Sequence, residues 1–299
     1  ASLLAVSAVL SQAFNISTSV LLSELSNEAN RQRMNGLKGI VDNGVALTAP
    51  LLGTLVYTGL GFEAIVLLNI VSFGLSGLME CFIKLEEKPA DIQQRDRNYR
   101  ELIPFFKKKP FVLRLFLIAG CLNLFFAPHE EIFYPAVLIK NYHYSETVYG
   151  LANLLFVAGM LLTSFILYRF NKGLFSLKTN LLLNSALLGC LGFSSLLGIS
   201  PAIYFVIFMM VMIISGSLTS MINIPLISYF QNEVDAAIQS RFFALQSFTS
   251  SCLIPLGIFL AGQLSEISSG GFVMGMFNCC ILILVYLLMR GYNIENNQR

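Results

Sequence analysis

Asp42, Glu130 and Glu131 lie inside or at the rim of long apolar runs. An ionisable group is retained in hydrocarbon only where it faces a cavity, a partner or a proton path. Asp42 sits six residues past Gly36, about 9 Å along a helix, and one turn after Lys38. An ion pair at the helix mouth and a part in transport both fit it. Glu130 and Glu131 follow His129, and the chain stays apolar beyond them over Ile132–Ile139. Asn123, Glu130 and Tyr134 recur at i, i+7 and i+11, which puts them on one helix face. A carboxylate partly removed from water holds a proton more readily. Three accounts of the glutamate pair stay open: proton exchange with the outer medium, contact with a cationic solute group, or a solvated pair at the outer interface.

Other polar residues are scattered through the same runs. Asn123, Asn153, Asn184, Asn223, Gln246 and Asn278 each occupy a different one. A buried amide in lipid needs a helix–helix hydrogen bond or a watery cavity. Gly36, Gly39, Gly44, Ala46, Ala49 and Gly53 make one run narrow enough for close helix approach, and Pro50 removes a backbone bond and can kink it. Arg33 and Arg241 head two similar stretches. Anchoring at a membrane surface explains them, and so does a gate pairing with Glu24, Glu28, Glu233 or Asp235. Enzyme chemistry finds no support, because HExxH, GxSxG and GxxxxGK are all missing from the sequence. His129 and His143 are too few and badly spaced for a metal site, so no cofactor is expected. The 6 cysteines lack disulfide or zinc spacing and read as small apolar packing residues.

The composition requires an apolar solvent. Hydrophobic residues make up 56%, charged residues 12%, and mean hydropathy is +0.71, where a soluble domain carries about a quarter charged. A net charge of +2 gives no argument for nucleic acid as a partner. A bilayer core takes about 20 apolar residues as helix. Nine runs meet that length: Leu3–Leu22, Gly36–Tyr57, Phe62–Ile83, Phe111–Ile139, Val148–Tyr168, Thr179–Leu197, Ala202–Ser228, Phe242–Leu264 and Phe272–Met289. They are too long for barrel strands, so the fold class is an all-α polytopic membrane protein. If the runs alternate, only Lys140 of the 19 lysines and arginines falls opposite the long polar segment Lys84–Lys109. That bias places Lys84–Lys109 and the C-terminus in the cytoplasm of a plasma-membrane protein.

The long polar segment also separates two halves. Aligning Arg33 with Arg241 superimposes Asn15-Ile16 on Asn223-Ile224, Ala29 on Ala237 and Leu37 on Leu245, the trace of an internal duplication. The first half is then short by three helices, and the chain starts with Ala1. The expected organisation is residues 1–83 as the remainder of an N-terminal bundle, 84–109 as a basic linker, 110–291 as a six-helix C-terminal bundle, and 292–299 as a tail.

Two bundles joined by a basic loop resemble the major facilitator superfamily, and the nine spans would then be helices 4–12 of twelve. Arg33–Leu55 is similar to the antiporter motif of drug exporters, with Gly36, Pro50 and Gly53 matching and Val45, Ala49 and Thr54 departing. Leu124–Gly150, through Phe126, Pro128, Pro135 and Tyr149-Gly150, resembles the macrolide-efflux group, as does Pro255-Leu256-Gly257 with Ala261-Gly262. The resemblance implies a monomeric, proton-driven exporter of amphipathic small molecules. It also implies that Asn123, Asn223 and Gln246 face the pathway; for Asn153 and Asn184, bonding between helices is the expectation from their burial as amides. A lipid or lysolipid flippase of the same fold, a channel and an inactive truncated remnant are the rival readings.

Overall fold

A computed structural model of the chain describes residues 2–82, 99–170 and 176–290. The tail 292–299 and the linker up to residue 98 lie outside them. Among the described residues every element is helical. They are α1 Ser2–Leu25, α2 Arg31–Glu80, a 3-10 turn Tyr99–Glu101, α3 Leu102–Lys108, α4 Pro110–Pro128, π-helical turns His129–Phe133 and Ala136–Asn141, α5 Glu146–Phe170, α6 Leu177–Ser194, α7 Pro201–Glu233, α8 Ala236–Ile267 and α9 Gly270–Leu288.

Local chemistry sets the ends. Asn27 and Asn30 cap one another, each side-chain oxygen accepting the other's backbone N–H at 3.0 and 2.9 Å, and so turn α1 into α2. Pro110 and Pro201 open α4 and α7, where a missing N–H costs nothing. Ser176 and Ser269 accept from the N–H groups of Thr179 and Phe272, satisfying donors at the starts of α6 and α9. In α2 the backbone continues through Pro50 and leaves helical geometry at Gly61 instead, with φ 82° and ψ 178°. A side chain there would be strained, and glycine has none.

Six helices among the described residues are long and apolar enough to cross a membrane: Leu52–Glu80, Pro110–Asn141, Glu146–Phe170, Pro201–Glu233, Ala236–Ile267 and Gly270–Leu288. The sequence predicts nine spans; among the described residues α1, α6 and the start of α2 are helical but are not in that set. In α6 the residues Lys178, Asn180, Asn184 and Ser185 dilute the hydropathy.

The chain forms two compact units, one of residues 41–98 and one of residues 1–40 with 99–299. In the smaller, none of the most apolar window of Leu52–Glu80 is buried, and Leu55, Leu60, Phe62, Phe73 and Phe82 all stand open. The larger unit is a bundle in which α5 packs on α7, α6 on α9 and on α7, and α4 on α8, with α1 against α8 and α7. Close approach there depends on glycine. A Cβ on Gly159 would lie 2.2 Å from the Ile213 oxygen, and one on Gly216 2.0 Å from the Phe156 oxygen, so α5 and α7 meet backbone to backbone. Two cores result. Phe116, Phe230 and Phe242 centre one, with ring centroids 5.5 and 5.0 Å apart. Phe133, Tyr204, Phe208 and Phe277 centre the other.

Prolines shape the helices around the site. Pro128 has no N–H for the Leu124 carbonyl four residues back, and α8 fills the gap with Gly257, where an added Cβ would come 2.0 Å from that oxygen. Beyond Pro128 the chain widens into the π turn, whose closing bond runs from the Tyr134 N–H to the His129 carbonyl. In α7, Pro225 likewise frees the Met221 carbonyl, which accepts from Asn180 Nδ2 of α6 at 3.4 Å.

Candidate functional site

A cavity of about 350 Å³ lies inside the larger unit, among α4, its π turn, α5, α6, α7 and α8. The α4 face supplies Ala119, Asn123 and Phe126; the π turn supplies His129 and Glu130, with Tyr134 just beyond it. Asn153 and Phe156 come from α5, Asn184 and Leu188 from α6, Ser215, Thr219 and Asn223 from α7, and Gln246 from α8. π-helical turns are rare and concentrate at functional sites. Here the wider turn sets Glu130 on the same wall as Asn123.

The wall is largely prebonded. Asn123 Nδ2 donates to the Ala119 carbonyl at 2.8 Å and to Ser250 Oγ at 3.1 Å. Ser215 Oγ donates to Asn184 Oδ1 at 2.7 Å, and Thr219 Oγ1 to the Ser215 carbonyl at 2.8 Å. The Tyr149 hydroxyl reaches the Glu130 carbonyl at 2.9 Å, tying α5 to the π turn. Glu130 is exposed while Tyr134 is buried. Among the described residues the lining includes one carboxylate, no lysine and no arginine. Such a surface suits a neutral or singly cationic solute carrying both hydrogen-bonding and apolar groups.

Of the expected site residues, Asn123, Tyr134, Asn223, Gln246 and Glu130 come together on this cavity. Glu131 does not; it is exposed and absent from the lining. Asn153 and Asn184, expected to bond between helices, also line it, and Asn184 does both. Asp42 is exposed on α2 in the smaller unit, as are Pro50 and Gly53. Gly36 and Gly39 pack tightly against Tyr168 and Ser164 of α5, whereas a Cβ on Gly44 or Gly53 would meet no described atom within 4 Å. Five of the six cysteines are exposed and Cys121 half-buried, so they sit on the outer surface more than in the core. The unread signal for the α7 wall was the polar stripe Ser215, Thr219, Asn223 at i, i+4, i+8.

Arg33 is exposed, with its guanidinium 4.9 Å from the centre of the Tyr168 ring. Arg241 pairs with Glu101 at 2.5 Å, and Glu233 belongs to Lys109 at 2.9 Å. Arg31 hydrogen-bonds the early chain to the late one. It donates to the Gln231 carbonyl at 2.9 Å and the Ser23 carbonyl at 3.1 Å, and also reaches Asn232. Burial pulls its guanidinium below the ordinary range, and the charge of Glu28 acts the other way.

Gln231, 2% exposed, is the hub of this cluster. Its Oε1 accepts from Asn35 Nδ2 at 2.6 Å, its Nε2 donates to the Ser19 carbonyl at 2.8 Å, and its own carbonyl also accepts from Gln239 Nε2 at 3.1 Å. Asn35 adds a bond to Ser228 Oγ at 2.8 Å. Here α1 and the start of α2 are latched to the end of α7 and the start of α8.

Apolar helices of membrane-crossing length around a cavity of mixed polar and apolar lining fit a polytopic membrane protein. The chain matches the family model of the Major Facilitator Superfamily over residues 1–251. It belongs to that superfamily and is a multi-pass membrane protein of the secondary-transporter class. A comparison with individual curated proteins finds no match.

Proposed function

We propose that the chain exports amphipathic small molecules across the plasma membrane by proton-coupled alternating access, acting as a monomer with its C-terminus in the cytoplasm. The observation that carries this reading is the cavity of about 350 Å³, in which amides and aromatic rings surround the single carboxylate Glu130. Its size lies in the range of small-molecule sites. Glu130 serves as the group that takes either a proton or the cationic end of the solute, and exchange between the two couples export to proton entry. Phe126 and Phe156 hold the apolar part, while Asn123, Asn223 and Gln246 meet the polar part.

The Gln231 latch supports alternating access. It joins elements from the two halves of the sequence at the end where the basic residues Arg31, Lys109 and Arg241 gather. The positive-inside bias makes this the cytoplasmic end. With the latch closed, the cavity communicates outward through exposed Glu130.

The test is expression in an exporter-deficient cell challenged with neutral and cationic amphipathic toxins. Protection that a proton uncoupler abolishes is the expected result. Absence of protection, or protection indifferent to the uncoupler, overturns the reading.

A further inference from the structure

His129 is among the residues lining the cavity and is 4% exposed. Its hydrogen bonds define its charge state. Nδ1 lies 3.2 Å from the Phe126 carbonyl, an acceptor only, so Nδ1 carries the proton. Nε2 lies 2.8 Å from Asn278 Nδ2 of α9, a donor only, so Nε2 accepts. Exchanging the two ends of the Asn278 amide would set its oxygen against the Met274 carbonyl, to which Nδ2 also donates at 2.9 Å. The imidazole is therefore neutral and in the Nδ1–H form. Asn278 Oδ1 is buried and, among the described residues, has no hydrogen-bond partner, an arrangement that needs a reason.

The geometry points to His129 as a proton-accepting residue of the transport cycle, with the Asn278 amide as the switch that answers it. This rests on the proton-coupled reading above. A proton arriving from the cavity adds to the Nε2 lone pair and gives an imidazolium, with no other bond made or broken. Nε2 then donates, and two donors face each other. Rotation of the amide presents Oδ1 to Nε2–H, a charge-assisted bond, and releases the Met274 carbonyl. The link from the π turn to α9 thus has two discrete forms set by one proton. Around the imidazole stand Glu130 beside it and Tyr134, whose ring centre is 5.8 Å away. Tyr149 of α5 is held to the Glu130 carbonyl. Helix α9 has no charged residue, and α8 carries Arg241 and Glu266 near its ends.

The experiment is 15N NMR of histidine-labelled protein in nanodiscs, with His129→Gln separating His129 from His143. The expected result is an Nδ1–H signal at high pH that converts to imidazolium on acidification. Asn278→Asp, which supplies an acceptor at once, should raise the midpoint by about one unit or more. Asn278→Leu, which removes both donor and acceptor, should lower it and serves if the aspartate variant does not fold. An Nε2–H signal, no titration down to pH 5, or a midpoint unmoved by both variants overturns the switch. In vesicles, His129→Gln should abolish the response of solute flux to an imposed pH gradient; a retained response overturns the coupling role. If the wild-type chain moves no solute while the titration behaves as described, the exporter reading fails and the switch stands.

Discussion

Glu130 and Glu131 are adjacent in sequence and chemically alike, yet only Glu130 lines the cavity. Replacing Glu130 with Gln should lower proton-driven export by about tenfold or more, the effect of losing about 1.4 kcal/mol at the coupling step. Glu131→Gln should leave it within about twofold. Solute flux in vesicles with an imposed pH gradient reads both. At the other end, Gln231→Leu removes two side-chain bonds and leaves the Asn35 amide short of an acceptor. One Asn35 N–H then lacks its partner while the other keeps Ser228 Oγ; a buried donor left so costs about 1–3 kcal/mol, all of it falling on the latched state. Alkylation of a cysteine placed at Ser228 should accelerate on the latched side. An unchanged rate would remove Gln231 from the gate.

The helices are positioned by what prolines and glycines take away. Pro128 removes the N–H due to Leu124, Gly257 lets α8 close on the freed carbonyl, and the π turn that follows aims Glu130 and His129. Gly257→Val places carbon where only 2.0 Å separates it from the Leu124 oxygen, and backbone cannot yield cheaply. The variant should lose about 1–3 kcal/mol of stability, seen as a lower melting temperature in detergent. Gly262→Ala on the same helix, with no described atom within 4 Å of the new carbon, should melt like the parent. The helical character of all of these segments follows from their apolar length. The π turn and the break at Gly61 instead of Pro50 do not, since proline and glycine each allow several local outcomes that packing selects between.

For the molecule as a whole, the charge distribution predicts its orientation. In a cysteine-free background, a cysteine at Lys140 should label with an impermeant reagent from outside the cell. One at Lys109 should label only after permeabilisation. The opposite pattern would invert the cavity's access and place the Gln231 latch on the outer face.

The sequence by itself determined the solvent, the helical class, the superfamily resemblance and the polar residues that could not be sitting idle in lipid. Composition and run length record these because the energy of a residue in hydrocarbon is paid locally, one side chain at a time. Tertiary structure alone decided which polar groups meet. It put Asn184 and Ser215, His129 and Asn278, and Arg31 and Gln231 within hydrogen-bond reach, and it left Arg33 over a tyrosine ring and Glu131 off the wall. Those choices depend on helix rotation and approach, which backbone contacts at Gly159, Gly216 and Gly257 set across tens to hundreds of residues.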